Sequence, residues 1–437
     1  MSVKEKLTHN PHTMELVGGS SGFFSKDIIQ TEFDAMTDED SILKPELAEE
    51  YIIFCIQSWD HRGEKVKQVV ARFAVGKDMK ADYLIHKIHE VIKGVYAFGF
   101  IVNNVTGDGA TQNRSSFKAL GTICAGDLFK PTSLSKPLPN RNLPVAFPHP
   151  CDKSIKVFIG GEMPHLVKKF ANAFYRSSSS KKKTALVFRG QKMNLNMIEN
   201  VWRADFMGTN SLRNVKLTDD HFDRNAYSAM RVHLAVQIFS DGVACMLEDH
   251  IEFIDEATKT LYEPLIAIIR NVDKLIDIWN ARSDKKCGMI DCPNHSHITE
   301  LREILDIFEE WRNESKENGG VYSFIPNESW EDLCWLVYGI EGVATTYLKD
   351  NKSLVMHQKN GGSDVCEHNF ADTRARNQNP DTQSTNSILG RRAGLRAQMN
   401  GNEFNLRPKS NSGRGDKPDL GALCAAIHHK RTDRSKK

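Results

Sequence analysis

The chain contains the sequence Phe98-Gly-Phe-Ile-Val-Asn-Asn-Val-Thr-Gly-Asp-Gly-Ala-Thr-Gln-Asn-Arg-Ser-Ser-Phe-Lys-Ala-Leu-Gly121, an apolar segment followed by a polar turn. Phe100–Val105 predicts a strand, and the residues after Gly109 predict the start of a helix. Asp108 therefore lies at the carboxyl end of a strand, the edge where open α/β sheets bind ligands. Taken alone, an aspartate between two glycines is more often a turn residue.

The residues before this segment alternate between strand and helix patterns. Tyr51–Gln57 predicts a buried strand, and Lys67–Val75 predicts its hairpin partner. Apolar residues recur at three- and four-residue steps between Asp82 and Ala97, which predicts an amphipathic helix. A shorter strand is predicted at Ile28–Phe33, and Asp34 follows it. A role as a helix cap or as an ordinary loop residue would also explain an aspartate at this position. These patterns indicate an α/β fold.

The residues after it divide into a proline-rich stretch and a helical block. Six of the fifteen prolines lie between residues 131 and 150, which predicts a long surface loop over 124–151 that separates two parts of one sheet. Ile155–Ile159 predicts a further strand, and Pro164–Phe174 predicts a helix. The helical block follows in three segments: Met230–Asn280, Thr299–Trp311 and Ser329–Lys349.

The net charge of +2 over 437 residues conceals an uneven distribution. From Arg391 to Lys437, twelve basic residues stand against four acidic ones, so this tail carries +8 and residues 1–390 carry −6. No apolar run approaches the ~18 residues that span a bilayer, which predicts no membrane association. The amino terminus has no apolar signal segment, and nine scattered cysteines are typical of a reducing, intracellular compartment.

A third acidic candidate, Glu367, lies in Gly361-Gly-Ser-Asp-Val-Cys-Glu-His-Asn-Phe370 near the expected start of a helix. Converging carboxylates are costly unless a cation neutralises them, and hard oxygen ligands suit Mg²⁺ or Mn²⁺. Two such ions would support an in-line phosphoryl displacement. Spacing alone does not establish that Asp108 and Glu367, 259 residues apart, meet in space.

Four blocks resemble P-element-type DNA transposases, the relatives of THAP-domain transposases, and they occur in the family's order. The first is Phe98–Gly121, around Asp108. The others are Ile159–Asn172 with its Pro-His-Leu motif, Leu217–His221 together with Met230–Ser240, and Asp364–Phe370. Each match is modest, but four in order make the resemblance strong. Most of the chain, from about Phe33 to Pro380, is covered.

The resemblance implies an RNase-H-like mixed sheet flanked by helices and interrupted by a large, mostly helical insertion domain. It implies that Asp34, Asp108 and Glu367 bind Mg²⁺ or Mn²⁺ and catalyse DNA cleavage and strand transfer by a DDE mechanism. Asp38 is the alternative to Asp34, because the family's Phe-Asp-Glu-Met is Phe33-Asp-Ala-Met36 here.

Further roles follow from the same resemblance. His165, Lys168 and Arg374 are candidates for contacts with DNA phosphates, although a structural role for His165 is comparably plausible. The implied partners are transposon ends and target DNA, a homo-oligomer is implied, and the implied location is the nucleus. The basic tail would then be a nuclear-import signal or a phosphate-binding arm, or else a solvated disordered tail.

The predicted domain organisation has five parts. Residues 1–25 form a short extension, and 26–208 form the first part of the catalytic domain. The helical insertion, GTP-binding-like by resemblance, covers 209–355. Residues 356–392 close the catalytic domain and carry Glu367, and 393–437 form the basic tail.

Departures from the family pattern support an alternative function. Glu162 replaces the usual aspartate, Ala171 an arginine and Ser363 a glutamine. The segment before Phe33 is too short for a THAP domain followed by a coiled coil. The alternative is therefore a truncated or host-adopted, non-catalytic derivative that binds DNA or protein.

Two further motifs concern cofactors. GTP is possible by resemblance, but the sequence has no Gly-x-x-x-x-Gly-Lys-Ser/Thr phosphate loop. Asn271–Lys274 has residue types that could read guanine, yet it lies within a helix pattern. Zinc-type ligands occur at Cys287, Cys292, His295 and His297, but their spacing differs from that of zinc fingers. A structural loop is therefore the preferred interpretation of this second motif.

Overall fold

The computed structural model describes most of residues 50–376, together with strand segments at 8–10, 15–19 and 22–23. The gaps within 50–376 are 60–65, 77–78, 134–135, 179–184, 208–214, 224, 226–227, 253–254, 282–287, 319–322 and 350–354. The predicted strand Ile28–Phe33, Asp34 and Asp38 lie outside the described residues, as does the basic tail. All described residues belong to one unit, Met1–Leu389.

The strands form one mixed sheet and several smaller antiparallel pairings. The three amino-terminal segments, β1 (Thr8–Asn10), β2 (Glu15–Gly19) and β3 (Gly22–Phe23), pair in that order. Strands β4 (Glu50–Gln57) and β5 (Lys67–Val75) form the predicted hairpin, with Tyr51 opposite Ala74. The mixed sheet has the order β6-β9-β8-β7. Its strands are β6 (Asn104–Thr106), β7 (Ile123–Cys124), β8 (Pro144–Pro148) and β9 (Lys156–Gly160).

The register of the mixed sheet places the Asp108 turn beside the end of β9. β6 is parallel to β9, with Thr106 opposite Gly160, whereas β8 is antiparallel to both β7 and β9. Because β6 and β9 run in the same direction, the residues that follow them meet at one edge of the sheet. The turn after β6 and the segment Gly161-Glu162 after β9 therefore lie next to each other.

The helices follow the predicted periodicities closely. Four accompany the sheet strands: α1 (Ala81–Ala97), α2 (Thr111–Leu120), α3 (Ala125–Leu128) and α4 (Met163–Ser178). After the short hairpin β10 (Leu186–Phe188) and β11 (Gln191–Met193) come α5 (Leu195–Met207), α6 (Asp219–Phe222), α7 (Val232–Ile238), α8 (Asp241–Glu252), α9 (Glu256–Trp279), α10 (Ser296–Glu317), α11 (Asn327–Tyr347) and α12 (Asp364–Arg376). The predicted helical block is thus a series of helices with short breaks.

Helix α11 is buried along most of its length and packs against β9. Its Trp330, Trp335 and Tyr338 are almost completely buried. A Cβ added at Gly342 would lie 2.2 Å from the ring of Phe158, so the absence of a side chain permits this close approach. One continuous hydrophobic core includes residues of the mixed sheet and of the helical block.

The prediction of a surface loop over 124–151 is wrong in part, because β8 and α3 lie within it. Val145, Ala146 and Phe147 of β8 are buried. Pro144 and Pro148 are the first and last residues of the strand, where a missing backbone N–H interrupts the ladder least. The predicted strand Phe100–Val105 is also too long, because β6 begins at Asn104 and both Phe100 and Ile101 are exposed. Within the described ranges, no helix has the length and apolarity needed to cross a membrane.

Candidate functional site

The Asp108 carboxylate stabilises the turn in which it lies. Its Oδ1 accepts hydrogen bonds from the Ala110 backbone N–H at 3.1 Å and from Asn113 Nδ2 at 2.7 Å. These bonds orient the side chain at the start of α2, and the residue remains exposed. An ionised carboxylate has about four lone-pair sites, so it can still bind a cation or a proton donor. Asp108 therefore has both the predicted turn role and the capacity for chemistry.

A small pocket surrounds Asp108 at the edge of the mixed sheet. The residues after β6 form one side of it, and the residues after β9 form the other. Two residues of α2, His165 of α4 and two residues of α11 complete the lining. The lining residues are Gly107, Asp108, Gly109, Arg114, Phe117, Gly160, Gly161, Glu162, His165, Asp332 and Trp335.

A buried glutamate on one side of this pocket joins two helix starts. Glu162 is only 4% exposed. Its Oε1 accepts a hydrogen bond from Ser363 Oγ, just before α12, and its Oε2 is hydrogen-bonded to His165 Nδ1 in the first turn of α4. The hydrogen bond to Glu162 is the main cause that raises the pKa of His165 above its usual value, and the negative charge of Glu367 raises it further.

Glu367 lies on the other side of the same histidine. Its Oε1 is 3.9 Å from His165 Nε2, and Glu162, His165 and Glu367 each offer a ligand atom within 4.8 Å of the others. Glu367 is exposed, whereas its neighbours Val365 and Asn369 are buried and fix α12 against β4. Asn369 Nδ2 donates to Cys55 Sγ at 3.6 Å. The fold therefore brings Glu367 to the imidazole that also lines the Asp108 pocket.

A network of buried charges lies on the α11 side of the pocket. The Arg114 guanidinium binds both Glu331 and Asp332, whose side chains are only 11% and 12% exposed. Lys118 Nζ contacts Glu331 at 2.8 Å, and Lys169 Nζ contacts Asp332 at 2.5 Å. The network links α2, which follows Asp108, to α11 and to α4, which carries His165.

The structure places some of the predicted site residues together and leaves the roles of others as predictions. Asp34 is outside the described residues, so the full triad stays a prediction. Asp108 and His165 line one pocket, and Glu367 lies against His165. Lys168 is partly buried on α4, and its positive charge lowers the pKa of His165. Arg374 lies in α12, and its DNA contact stays a prediction.

Sequence reasoning missed the roles of Glu162 and of the Arg114 network. Glu162 was recognised only as a departure from the family's aspartate. The available signal was its spacing, because an acid three residues before a histidine at a helix start can reach the imidazole. Glu331 and Asp332 gave no comparable signal, because acidic residues on a predicted helix normally face solvent.

The hypothesis that Asn271–Lys274 reads guanine receives no support from its position. The four residues lie inside α9, Asn271 Nδ2 donates to the Ala267 carbonyl at 2.7 Å, and Val272 is buried. Burial, together with the charge of Asp277, raises the pKa of Asp273 to about 6. The run is a helical turn, as its apolar pattern predicted.

The zinc-type residues also have structural roles where they are described. Cys287 lies outside the described residues. Both ring nitrogens of His297 have partners, Nδ1 with Glu300 at 3.1 Å and Nε2 with the Gly288 carbonyl at 2.9 Å. Within the described part of the chain, Cys292, His295 and His297 do not form a three-ligand group. The preferred interpretation as a structural loop agrees with these contacts.

A second, wider groove of about 790 Å³ lies in the helical block. It is mostly apolar, with Lys216 and His233 as its basic residues. Gln237 and Ser240 add polar groups. The lining residues are Val215, Lys216, Val232, His233, Val236, Gln237, Ser240 and Gly242.

Comparisons with known proteins agree with this architecture. Residues 164–291 match the family model described as "TNP-like, GTP-binding insertion domain". The fold is similar to a solved structure described as the Drosophila P element transposase strand transfer complex, with a TM-score of 0.64 and 17% identity over 93% of this chain and 76% of that chain. No curated protein matches. The resemblance to P-element-type transposases is confirmed, and the fold is a mixed α/β fold with a mixed sheet and flanking helices.

Proposed function

We propose that this chain is a DNA transposase of the P-element type, which cleaves DNA and transfers the cleaved strand to a target. Its Asp108, Glu367 and Asp34 carboxylates would form a DDE site on an RNase-H-like fold. The observation that carries the proposal is the position of His165, which lines the Asp108 pocket and lies 3.9 Å from Glu367. His165 thereby links the pocket of Asp108 to Glu367, which lies 259 positions away in sequence.

The proposed reaction has two phosphoryl transfers. In the first, a water oxygen attacks a DNA phosphorus, the P–O3′ bond breaks, and a 3′ hydroxyl and a 5′ phosphate result. In the second, that 3′ oxygen attacks a phosphorus of the target strand and displaces its 3′ oxygen, so one phosphodiester replaces another. Mg²⁺ or Mn²⁺ ions bound by the carboxylates would activate the attacking oxygen and stabilise the leaving oxygen.

The residues of this chain contribute orientation and charge. The Ala110 N–H and the Asn113 amide hold Asp108 Oδ1, so this carboxylate is oriented before substrate binds. The buried residues of α12 hold Glu367 at the surface. Lys168 and Arg374 supply positive charge on α4 and α12 for DNA phosphates. Preorganised carboxylates of this kind are what a metal-dependent phosphoryl transfer requires.

The experiment that tests the proposal is a joining reaction that does not require known transposon ends. The purified chain is incubated with Mg²⁺ or Mn²⁺, a supercoiled plasmid and duplex oligonucleotides that have free 3′ hydroxyls and randomised end sequences. Insertions are counted by sequencing. We expect metal-dependent insertion by the parent chain and a loss of at least 100-fold in Asp108→Ala and in Glu367→Gln.

A matched control uses an acidic residue away from the pocket. Asp152 is half-buried, and its carboxylate accepts hydrogen bonds from Ser154 of its own turn, so Asp152→Asn should insert DNA like the parent. Equal insertion by Asp108→Ala and the parent would exclude Asp108 from the reaction. Binding of DNA without any insertion by the parent would favour the alternative, a host-adopted non-catalytic factor that binds DNA or protein.

We further propose that the helical block binds GTP in the groove lined by Lys216 and His233. The match of residues 164–291 to a GTP-binding insertion domain supports this, and the groove lies within that range. Lys216 could bind a phosphate as a point charge. Titration with a fluorescent GTP analogue should show saturable binding that Lys216→Ala weakens at least tenfold and excess ATP does not compete. Equal affinity in Lys216→Ala would exclude this groove as the GTP site.

Nuclear location and homo-oligomeric assembly remain proposals that rest on the same resemblance.

A further inference from the structure

We propose that His165 is itself a metal ligand and that its Nε2 binds one divalent cation together with Oε1 of Glu367. The inference rests on the proposed metal-binding role of Glu367 and extends it to a nitrogen ligand. Glu162 is assigned the role of positioning residue, which acts through the imidazole and not on the metal. The site would therefore differ from one built of carboxylates alone.

The first argument concerns the orientation of the imidazole. Glu162 is almost completely buried, and its Oε2 is bonded to His165 Nδ1. A carboxylate accepts hydrogen bonds, so the bonded Nδ1 carries the proton. When His165 is neutral, the lone pair is then on Nε2, the atom nearest to Glu367. Metal-binding histidines almost always donate the other ring N–H to a carboxylate, a backbone carbonyl or a water, which fixes the ring and raises its basicity.

The second argument concerns the distance between the two ligand atoms. His165 Nε2 and Glu367 Oε1 are 3.9 Å apart, which is too long for a hydrogen bond. Two metal–ligand bonds of about 2.1 Å can span at most about 4.2 Å, so one ion can contact both atoms without movement of the backbone. Glu162 is the third member of the group, in which one ligand atom from each residue lies within 4.8 Å of the others.

The third argument concerns charge and access. Glu162 and Glu367 supply two negative charges around the imidazole, which offset the positive charge of Lys168 nearby. His165 is 29% exposed and Glu367 is 51% exposed, so an ion between them retains coordination positions for water or a phosphate oxygen. Imidazole nitrogen suits Zn²⁺ and the later first-row transition metals, whereas Mn²⁺ binds most weakly in that series and, like Mg²⁺, suits carboxylate and water ligands.

The test detects nitrogen coordination directly and does not depend on DNA. The full chain is loaded with Mn²⁺ alone and examined by electron spin-echo envelope modulation, which reports ¹⁴N nuclei bonded to the ion. We expect ¹⁴N modulation in the parent, none in His165→Gln, and parental modulation in the control His86→Gln, whose residue is exposed on α1. We also expect Glu162→Gln to weaken Mn²⁺ binding about 10- to 100-fold.

A second variant covers the possibility that a substitution disturbs the fold. His165→Asp supplies an oxygen ligand at the same position, so it should bind Mn²⁺ without ¹⁴N modulation while circular dichroism stays parental. The inference is overturned if the parent binds no Mn²⁺, if bound Mn²⁺ shows no ¹⁴N modulation, or if His165→Gln retains that modulation.

Failure of this inference can be distinguished from failure of the proposed function. Nitrogen coordination without DNA joining would leave His165 as a ligand and remove the transposase proposal. DNA joining without nitrogen coordination would support the transposase proposal and exclude His165 as a metal ligand. The competing interpretation, an imidazolium–carboxylate ion pair between His165 and Glu367, predicts Mn²⁺ binding without any ¹⁴N modulation.

Discussion

Replacement of Asp332 by asparagine should destabilise the protein, because this carboxylate lies between two cations. Its side chain is 12% exposed and binds Arg114, whose side chain is 10% exposed, and Lys169, which is 29% exposed. Removal of one partner from a buried ion pair costs about 3–5 kcal/mol. Arg114 keeps Glu331 and Lys169 can regain water, so we expect a lower loss of about 2–3 kcal/mol in the free energy of unfolding.

Urea unfolding followed by tryptophan fluorescence measures this loss, and Trp335 lies 5.2 Å from the Arg114 guanidinium. With a slope of about 3 kcal/mol per molar urea, the midpoint should fall by roughly 0.7–1 M. The matched control is Asp219→Asn, because Asp219 pairs with Arg203 at 3.2 Å but is 75% exposed. Exposed pairs contribute about 0–1 kcal/mol, so this midpoint should hardly move.

The refuting result is an equal midpoint in both variants, which would mean that the buried network contributes no more than a surface pair. A double-mutant cycle locates the effect. Lys169→Met should cost less in the Asp332→Asn background than in the parent, because its partner is already neutral. Additive effects would show that Lys169 and Asp332 do not interact.

Three further predictions concern backbone fit, pH and thiol access. Gly161→Ala should lower stability by at least about 1–3 kcal/mol, because its Cβ would lie 2.2 Å from the Asp332 carbonyl, whereas Gly94→Ala meets nothing within 4 Å and should be neutral or stabilising in the same urea assay. The pKa of Asp273 is raised from 3.8 to about 6, so the folded state binds more protons between these two values and stability falls as pH rises through them. The stability of Asp273→Asn relative to the parent should therefore increase between pH 4 and pH 7. A constant difference would contradict the burial of this acid. Cys334 is buried and its thiol pKa is raised by burial, so iodoacetamide should label exposed Cys151 much faster than Cys334, as read by peptide mass spectrometry.

The periodicity of apolar residues in the sequence predicted the β4–β5 hairpin and the amphipathic helices best. The β4–β5 hairpin and helices α1 and α4 agree with the patterns to within a few residues, and each of the two helices buries one apolar stripe. β8 was missed because proline is counted as a breaker wherever it occurs. Here the prolines end the strand, and Val145–Phe147 between them form an ordinary buried segment.

The candidate site was predictable only where its signal is local. Asp108 follows a strand and precedes a helix, and both features can be read from neighbouring residues. The contact of Glu367 with His165 depends on how α12 packs against β4, which no nearby residue specifies. The pairing of Arg114 with Asp332 depends in the same way on the burial of α11. Family resemblance indicated that Glu367 belongs to one site with Asp108, but nothing in the sequence indicated its contact with His165 or the pairing of Arg114 with Asp332.

The partners of the carboxylates separate those that stabilise the fold from those available for chemistry. Glu331 and Asp332 are neutralised by Arg114, Lys118 and Lys169, so they have no need of an external cation. In the described part of the chain, neither Asp108 nor Glu367 forms an ion pair with a lysine or arginine. Both are exposed, and each is held by neutral groups or faces an imidazole. Among the described residues, the carboxylates at this edge of the sheet that no lysine or arginine neutralises are therefore the ones proposed to bind metal, and their charge would favour a divalent cation there.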